Sequence, residues 1–173
     1  METYTELKPF TANPKFTKQR EKALKGLDFS QIDKPILDIV KQLAEIPYLF
    51  SLQSCYGHFL HEKQKDPNNL ERLTSDSAGK EIDYRIAYFA FCLENNKKGR
   101  DFLQKLKKLA SINLDYIQYG CADWFWKRRV NTYVIQVEPD RFKNVDRCFV
   151  DFEEALIIQD VRDSFFEEFR KII

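Results

Sequence analysis

Methionine occurs once, histidine twice and glycine five times in these 173 residues. With so little glycine, no G-x-G-x-x-G loop follows a strand, and a Rossmann-type nucleotide site finds no support. The four cysteines, Cys55, Cys92, Cys121 and Cys148, are far apart and form no CxxC pair. Small disulfide-stapled domains are shorter and richer in cysteine, so four reduced thiols in a cytosolic protein are expected. No apolar run approaches the ~20 residues that span a bilayer, and the opening METYTELKPF lacks a signal-peptide core. A soluble, cytoplasmic protein without a membrane partner is therefore expected. Charge has no dominant sign either: 28 Lys and Arg stand against 27 Asp and Glu. Without a global basic field no DNA partner is expected, and RNA contact would need a local patch. Internal repeats and low-complexity tracts are absent as well.

Aromatics are abundant: 15 Phe, 8 Tyr and 2 Trp. A chain of this length fits one domain and buries roughly two thirds of its unfolded surface, much of it here through rings. Residues 1–14, with Pro9 and Pro14, read as an arm that frays or drapes over a domain spanning 15–173. Thr17 is placed to cap a short charged helix that Gly26 ends. Asp33 is placed to cap a second helix, with Pro35 in its first turn and Ile36, Ile39, Val40 and Leu43 facing the core; Pro47 stops it. YLFSLQSC reads as a strand, and the polar stretch near 61–83 as a long mobile loop. YRIAYFAFCLE is apolar on both alternating faces, as a central strand covered on two sides would be. Asn95 or Asn96 caps a helix with a stripe of Phe102, Leu103, Leu106 and Leu109. DYIQYGCADWFWK and NTYVIQVEP follow as two strands joined around RRVN in a hairpin. A long helix with Ala155, Ile158, Val161, Phe165 and Phe169 inward ends the chain. The expected fold is α+β, with one mixed or antiparallel sheet packed against several helices.

Both histidines fall in one short stretch, YLFSLQSCYGHFLHE, close behind a cysteine and a glycine. A small-residue turn at a strand end exposes successive backbone N–H groups to an anion, with glycine permitting close approach. Ser54, Cys55, Tyr56, Gly57 and His58 are therefore the candidate ligand-binding residues. The bland alternative makes Cys55 a small buried hydrophobe, Gly57 a turn residue and the histidines solvated. Cys55, His58 and His61 share a spacing that invites zinc. On a strand, however, His58 and His61 point to opposite faces, and no second Cys/His cluster completes a ligand set, so no metal is expected. A Cys–His nucleophile pair lacks any local enzyme signature around Cys55.

The stretch LDFSQIDKPILDIVKQLAEIPYLFSLQSCYGHF resembles the wybutosine-synthesising tRNA methyltransferase family, the third enzyme of that pathway, over about residues 27–59. Leu27-Asp28-Phe29-Ser30 stands for the family's Leu-Asp-hydrophobic-Ser element. Asp33 and its helix follow, and Ser54, Cys55 and Gly57 match a turn that reads Ser-Ser-Cys-Ser-Gly-Arg in the family. Gln53 and Tyr56 replace the first and second of the remaining serines, and His58 replaces the arginine. The resemblance implies methyl transfer from S-adenosylmethionine to a ring nitrogen of a modified guanine beside a tRNA anticodon. Arginine is a permanent planar fork for phosphate or carboxylate, whereas histidine is readily neutral near physiological pH, so weak or absent S-adenosylmethionine binding is the expectation here.

A second candidate segment is CADWFWKRR. On a strand, Trp124 and Trp126 share one face, with Lys127, Arg128 and Arg129 at the following turn; indoles stack bases and cations hold phosphate in such arrangements. Trp124, Trp126, Arg128 and Arg129 are thus candidates for base stacking and phosphate contact, with packing of the indoles against a helix as the competing reading. Gln118, Tyr119 and Asp123 are possible polar neighbours of a pocket, depending on register. NNKKGRDFLQKLKK is read as the solvated face of a helix. Three functional classes stay open: a methyltransferase-like protein whose pocket lies at the Ser54–His58 turn, a non-enzymatic ligand-binding or regulatory module using that pocket, and a self-associating domain whose surplus aromatics form an interface.

Overall fold

The computed structural model describes residues 4–5, 7–75 and 78–173. Parts of the expected arm (1–3 and 6) and of the expected loop (76 and 77) lie outside the described residues. The elements follow in the order β1 (Tyr4–Thr5), α1 (Phe16–Lys25), α2 (Leu37–Glu45), β2 (Leu49–Cys55), β3 (His58–Leu60), β4 (Ile82–Arg85), β5 (Ala87–Leu93), α3 (Lys97–Ala110), β6 (Ile117–Ala122), α4 (Asp123–Arg128), β7 (Thr132–Val137), β8 (Arg147–Val150) and α5 (Phe152–Ile172). The strands make a five-stranded sheet, β1-β6-β7-β5-β2, and a three-stranded sheet, β3-β4-β8. Every pairing is antiparallel. The fold is a single-domain α+β structure, with two sheets where one was expected.

β5 lies inside the large sheet and is covered on both faces, which accounts for its unbroken apolar sequence. Phe89, Phe91 and Leu93 join the main core, to which α2, α3 and α5 contribute Leu43, Phe102 and Phe169. The alternate residues point the other way. Ala90 meets Phe125 of α4, and Cys92 meets Phe16 of α1. Rings dominate: Phe91 stacks on Phe169 at 5.8 Å, and Phe89 meets Phe166 edge-on at 5.7 Å. α1 begins one residue before Thr17, at Phe16, which is buried against Phe50; Gly26 ends it as expected. The α3 cap is Asn96, whose side chain accepts from the Gly99 N–H at 2.8 Å.

Two expected strands are not continuous. YRIAYFAFCLE breaks at Ile86, whose N–H donates to the Asp146 carbonyl at 3.3 Å. The buried Tyr84 hydroxyl holds the break: it donates to the Val137 carbonyl at 2.9 Å and accepts from the Ala87 N–H at 3.0 Å. The chain thereby passes from the small sheet to the large one. In the second case, DYIQYGCADWFWK is a strand only to Ala122 and then becomes α4. The helix buries Phe125 against Ala90, Ala122 and Val134 and half-buries Trp126 while Trp124 stays exposed, whereas a strand would have put both indoles on the face opposite Phe125. β6 and β7 do pair, but α4 connects them, and Asn131 completes the connection in the left-handed region at φ 64°. The Asn131 amide clamps the N-terminal segment, accepting from the Thr11 N–H at 2.9 Å and donating to its carbonyl at 3.0 Å.

Candidate functional site

β2 runs into β3 through Tyr56 and Gly57. Gly57 has φ +90°, and a Cβ there would lie 2.9 Å from that of Ala87, so glycine meets both the conformational and the steric requirement. The turn transfers the chain from the large sheet to the small one, as Ile86 does on the neighbouring strand. Between these two crossings lies a cavity of about 490 Å³, within the ~300–1,000 Å³ range of small-molecule sites. Ser54, Cys55 and His58 line it, together with Asp33, Arg85, Tyr88, Gln136, Asp146 and Arg147.

Asp33 was expected to cap a helix. No cap bond forms, because a short 3-10 turn at Lys34–Ile36 intervenes before α2. Its carboxylate is drawn instead to the turn: Oδ2 accepts from the Tyr56 N–H at 2.8 Å and stands 3.4 Å from His58 Nε2. Burial opposes charge on Asp33, but His58 and the Tyr56 N–H outweigh it and lower its pKa. His58 is buried, with Nδ1 3.0 Å from the Asn69 carbonyl. Burial pulls its pKa down; hydrogen bonds to Asp33, Cys55 and Asn69 prevail and push it up to about 10. The neighbours of His58 thus favour the protonated ring, against the ready neutrality of an unperturbed histidine. Cys55 is half-buried, and its Sγ accepts from the Gly57 N–H at 3.4 Å. No disulfide forms among the described residues, and Cys92, Cys121 and Cys148 are buried.

Tyr56 turns away from the cavity. Its ring stacks on Phe166 at 5.2 Å and its hydroxyl donates to Asp163 at 2.9 Å. Behind the turn lies the fully buried Arg162, whose guanidinium donates to the Gly57 carbonyl at 3.1 Å, pairs with Asp163 at 2.9 Å and sits 4.1 Å from the Tyr56 ring centre. The turn is thus pinned from both sides. His61 belongs to a separate groove with Leu60, Lys65 and Phe149, away from Cys55 and His58.

The tryptophan segment does not converge on the cavity. On a helix, residues two apart diverge by about 200°. Trp124 is exposed, with the Arg128 guanidinium 3.3 Å from its ring centre. Trp126 is half-buried and meets Tyr133 edge-on at 5.7 Å. Arg129 reaches toward Phe50, at 5.8 Å. Only Phe125, between the two indoles, lines the cavity. Gln118 and Tyr119 donate to the Leu114 and Leu103 carbonyls, both at 3.4 Å, and Asp123 pairs with Lys8 at 2.6 Å. None of the three lines the cavity.

Sequence reasoning missed Asp33, Arg85, Tyr88, Gln136, Asp146 and Arg147 as site residues. Tyr88 and Gln136 are cross-strand partners, as are His58 and Arg85 and then Arg85 and Arg147. Strand register unites them, and register is invisible before the pairing is known. Among the described residues no helix is long and apolar enough to cross a membrane. No protein-family model matches the chain, and no curated protein matches it. Among solved structures it is similar to the PH1069 protein from Pyrococcus horikoshii, at 13% identity over 91% of each chain with a TM-score of 0.49. A likeness at that level speaks to neither activity nor ligand.

Proposed function

We propose that the cavity at the Ser54–His58 turn binds S-adenosylmethionine or a nucleotide-like ligand, in a protein akin to the wybutosine-type tRNA methyltransferases that its turn resembles. The carrying observation is the lining. Arg85 offers a guanidinium and Arg147 one already paired with Asp83; Asp33 and Asp146 offer carboxylates, Gln136 an amide and Tyr88 and Phe125 rings. A zwitterionic amino acid joined to a nucleoside needs that mixture. Arg85, the cross-strand partner of His58, brings a guanidinium to the same cavity and so can answer for the arginine that His58 replaces. In the methyl-transfer reading, a ring nitrogen of the tRNA base attacks the sulfonium methyl, the methyl–sulfur bond breaks as S-adenosylhomocysteine departs, and the nitrogen's proton passes to solvent.

A second reading, a ligand-binding or regulatory module without catalysis, draws on His58 itself. In the metal-free protein its two ring nitrogens face Asn69 and Asp33 rather than the open space of the cavity. Calorimetric titration with S-adenosylmethionine tests the shared part. Saturable one-to-one binding is expected, weakened about tenfold or more in Arg85→Ala, as loss of a charged hydrogen bond implies. Absence of binding to S-adenosylmethionine, S-adenosylhomocysteine and nucleoside monophosphates alike would refute both readings. Transfer of a labelled methyl group to tRNA selects the first reading, and binding without transfer the second.

A further inference from the structure

Asp33, Cys55 and His58 bring one donor atom each to a common point: a carboxylate oxygen, Sγ and Nε2 all lie within 4.8 Å of one another. The point is at the cavity wall, since all three residues line it. Nothing in the methyl-transfer reading calls for such a meeting.

From this convergence we infer that the three residues form a binding site for a zinc-class divalent cation, with a further coordination position open to the cavity. The inference does not depend on the proposed ligand. It begins with the tautomer of His58. The Asn69 carbonyl, 3.0 Å from Nδ1, can only accept, so Nδ1 carries a hydrogen. In the neutral ring the Nε2 lone pair then faces the Asp33 carboxylate at 3.4 Å. A lone pair directed at a carboxylate repels it unless a positive charge lies between. A divalent cation placed between them meets both donors.

Outer contacts reinforce the point, because every one of the three donors is oriented by a backbone group. Asn69 fixes the His58 ring, the Tyr56 N–H holds Asp33 Oδ2 at 2.8 Å, and the Gly57 N–H donates to Cys55 Sγ at 3.4 Å. Metal-ligating histidines typically donate their other ring N–H to a carbonyl or carboxylate, and ligating carboxylates are themselves hydrogen-bonded.

Donor chemistry selects the metal class. Sulfur, imidazole and carboxylate together suit zinc and its near neighbours, and exclude magnesium and calcium, which take oxygen. Two anionic ligands and a neutral imidazole balance the charge of a divalent ion. Zinc bonds of ~2.0–2.3 Å in a tetrahedron set donors about 3.3–3.8 Å apart, so side-chain shifts on the order of 1 Å close the set. Three protein ligands with an open fourth position is the pattern of zinc sites that hold a water or a substrate group. Here the open position would take a water or a Lewis-basic atom of the cavity's ligand. The spacing in the sequence pairs Cys55 and His58 with His61, which lies in another groove. The third donor comes from Asp33, far upstream.

Cobalt(II) is the probe of choice, added to chelator-treated full-length protein at about pH 8, where protons compete less than at neutral pH. One equivalent should bind, with a thiolate-to-cobalt charge-transfer absorption and the intense visible bands of four-coordinate cobalt, and zinc should bleach both. Cys55→Ser should abolish the charge-transfer absorption. His58→Gln and Asp33→Asn should weaken binding by about 100-fold or more, beyond the 10–100-fold typical of losing an outer contact. His61→Gln should bind cobalt as the wild type does. Circular dichroism and melting of each variant identify any that fail to fold; for those, a zinc-induced rise in melting temperature of the wild type, absent in the conservative Cys55→Ser, carries the test. A folded wild type that shows no cobalt absorption, or an absorption that persists in Cys55→Ser, would overturn the site.

Discussion

Two segments stand out for chemistry in this chain, Ser54–His58 and Asp123–Arg129, and they fare differently once folded. In the first, a left-handed glycine reverses the backbone, so that side chains on either side of it converge on one cavity. In the second, the backbone coils into α4 and sends its two tryptophans apart, one to solvent and one toward Tyr133. Proximity in sequence became proximity in a site only where the chain turned. The two regions also differ in how charge is held. Around the turn the ionisable groups His58 and Arg162 are buried, whereas Lys127 and Arg128 stay exposed.

That contrast yields tests ordered by size. Beyond the turn, Glu138 is buried too, bonded to Gln136 and left with an unpartnered Oε2 among the described residues. Burial, against help from Gln136, pushes its pKa from 4.5 up to about 8. A raised carboxyl pKa means that the folded state holds the proton more tightly. Its contribution is fully present below pH 4.5 and is lost as pH rises through about 8. Glu138→Gln is therefore expected to outlast the wild type in alkaline denaturant titrations, by about 3–5 kcal/mol, with the advantage fading as pH falls toward the unfolded carboxyl range. A constant difference across pH would place Glu138 with the exposed groups. Gly57→Ala, which forces a Cβ against Ala87, is expected to cost about 2–4 kcal/mol by urea unfolding, from strain and overpacking together. Trp126→Ala should cost about 1–3 kcal/mol for its half-buried ring. Trp124→Ala should cost less than about 1 kcal/mol, as exposed substitutions do. If Trp124→Ala proves the more damaging of the two, the division of labour within α4 is wrong.

Much of the architecture was legible because it follows periodicity. The stripe in α3, the long α5 with Phe165 and Phe169 inward, and the strands at 49–55 and 132–137 are written in spacing alone. What failed did so through competition between local and distant effects. DWFWK reads as a strand on aromatic content, but burying Phe125 against Ala90 and Val134 decided for a helix. YRIAYFAFCLE is apolar throughout, yet the Tyr84 hydroxyl and Asp146 break it at Ile86, by contacts with residues 53 and 60 positions away. The site was half legible. Ser54, Cys55 and His58 announce themselves by residue type, while Arg85 and Gln136 enter through strand register and Asp33 by forsaking a helix cap.

Cys55 offers the most direct test of the claim that the cavity at the turn is the ligand site. It is the half-buried thiol among four, the others being buried, so a small alkylating reagent should modify it first in the native protein. The rate of that modification, followed by mass spectrometry of the Cys55 peptide, should fall with increasing S-adenosylmethionine along the same saturation curve that calorimetry gives. A rate that stays unchanged while calorimetric binding saturates would put the ligand elsewhere and contradict the account.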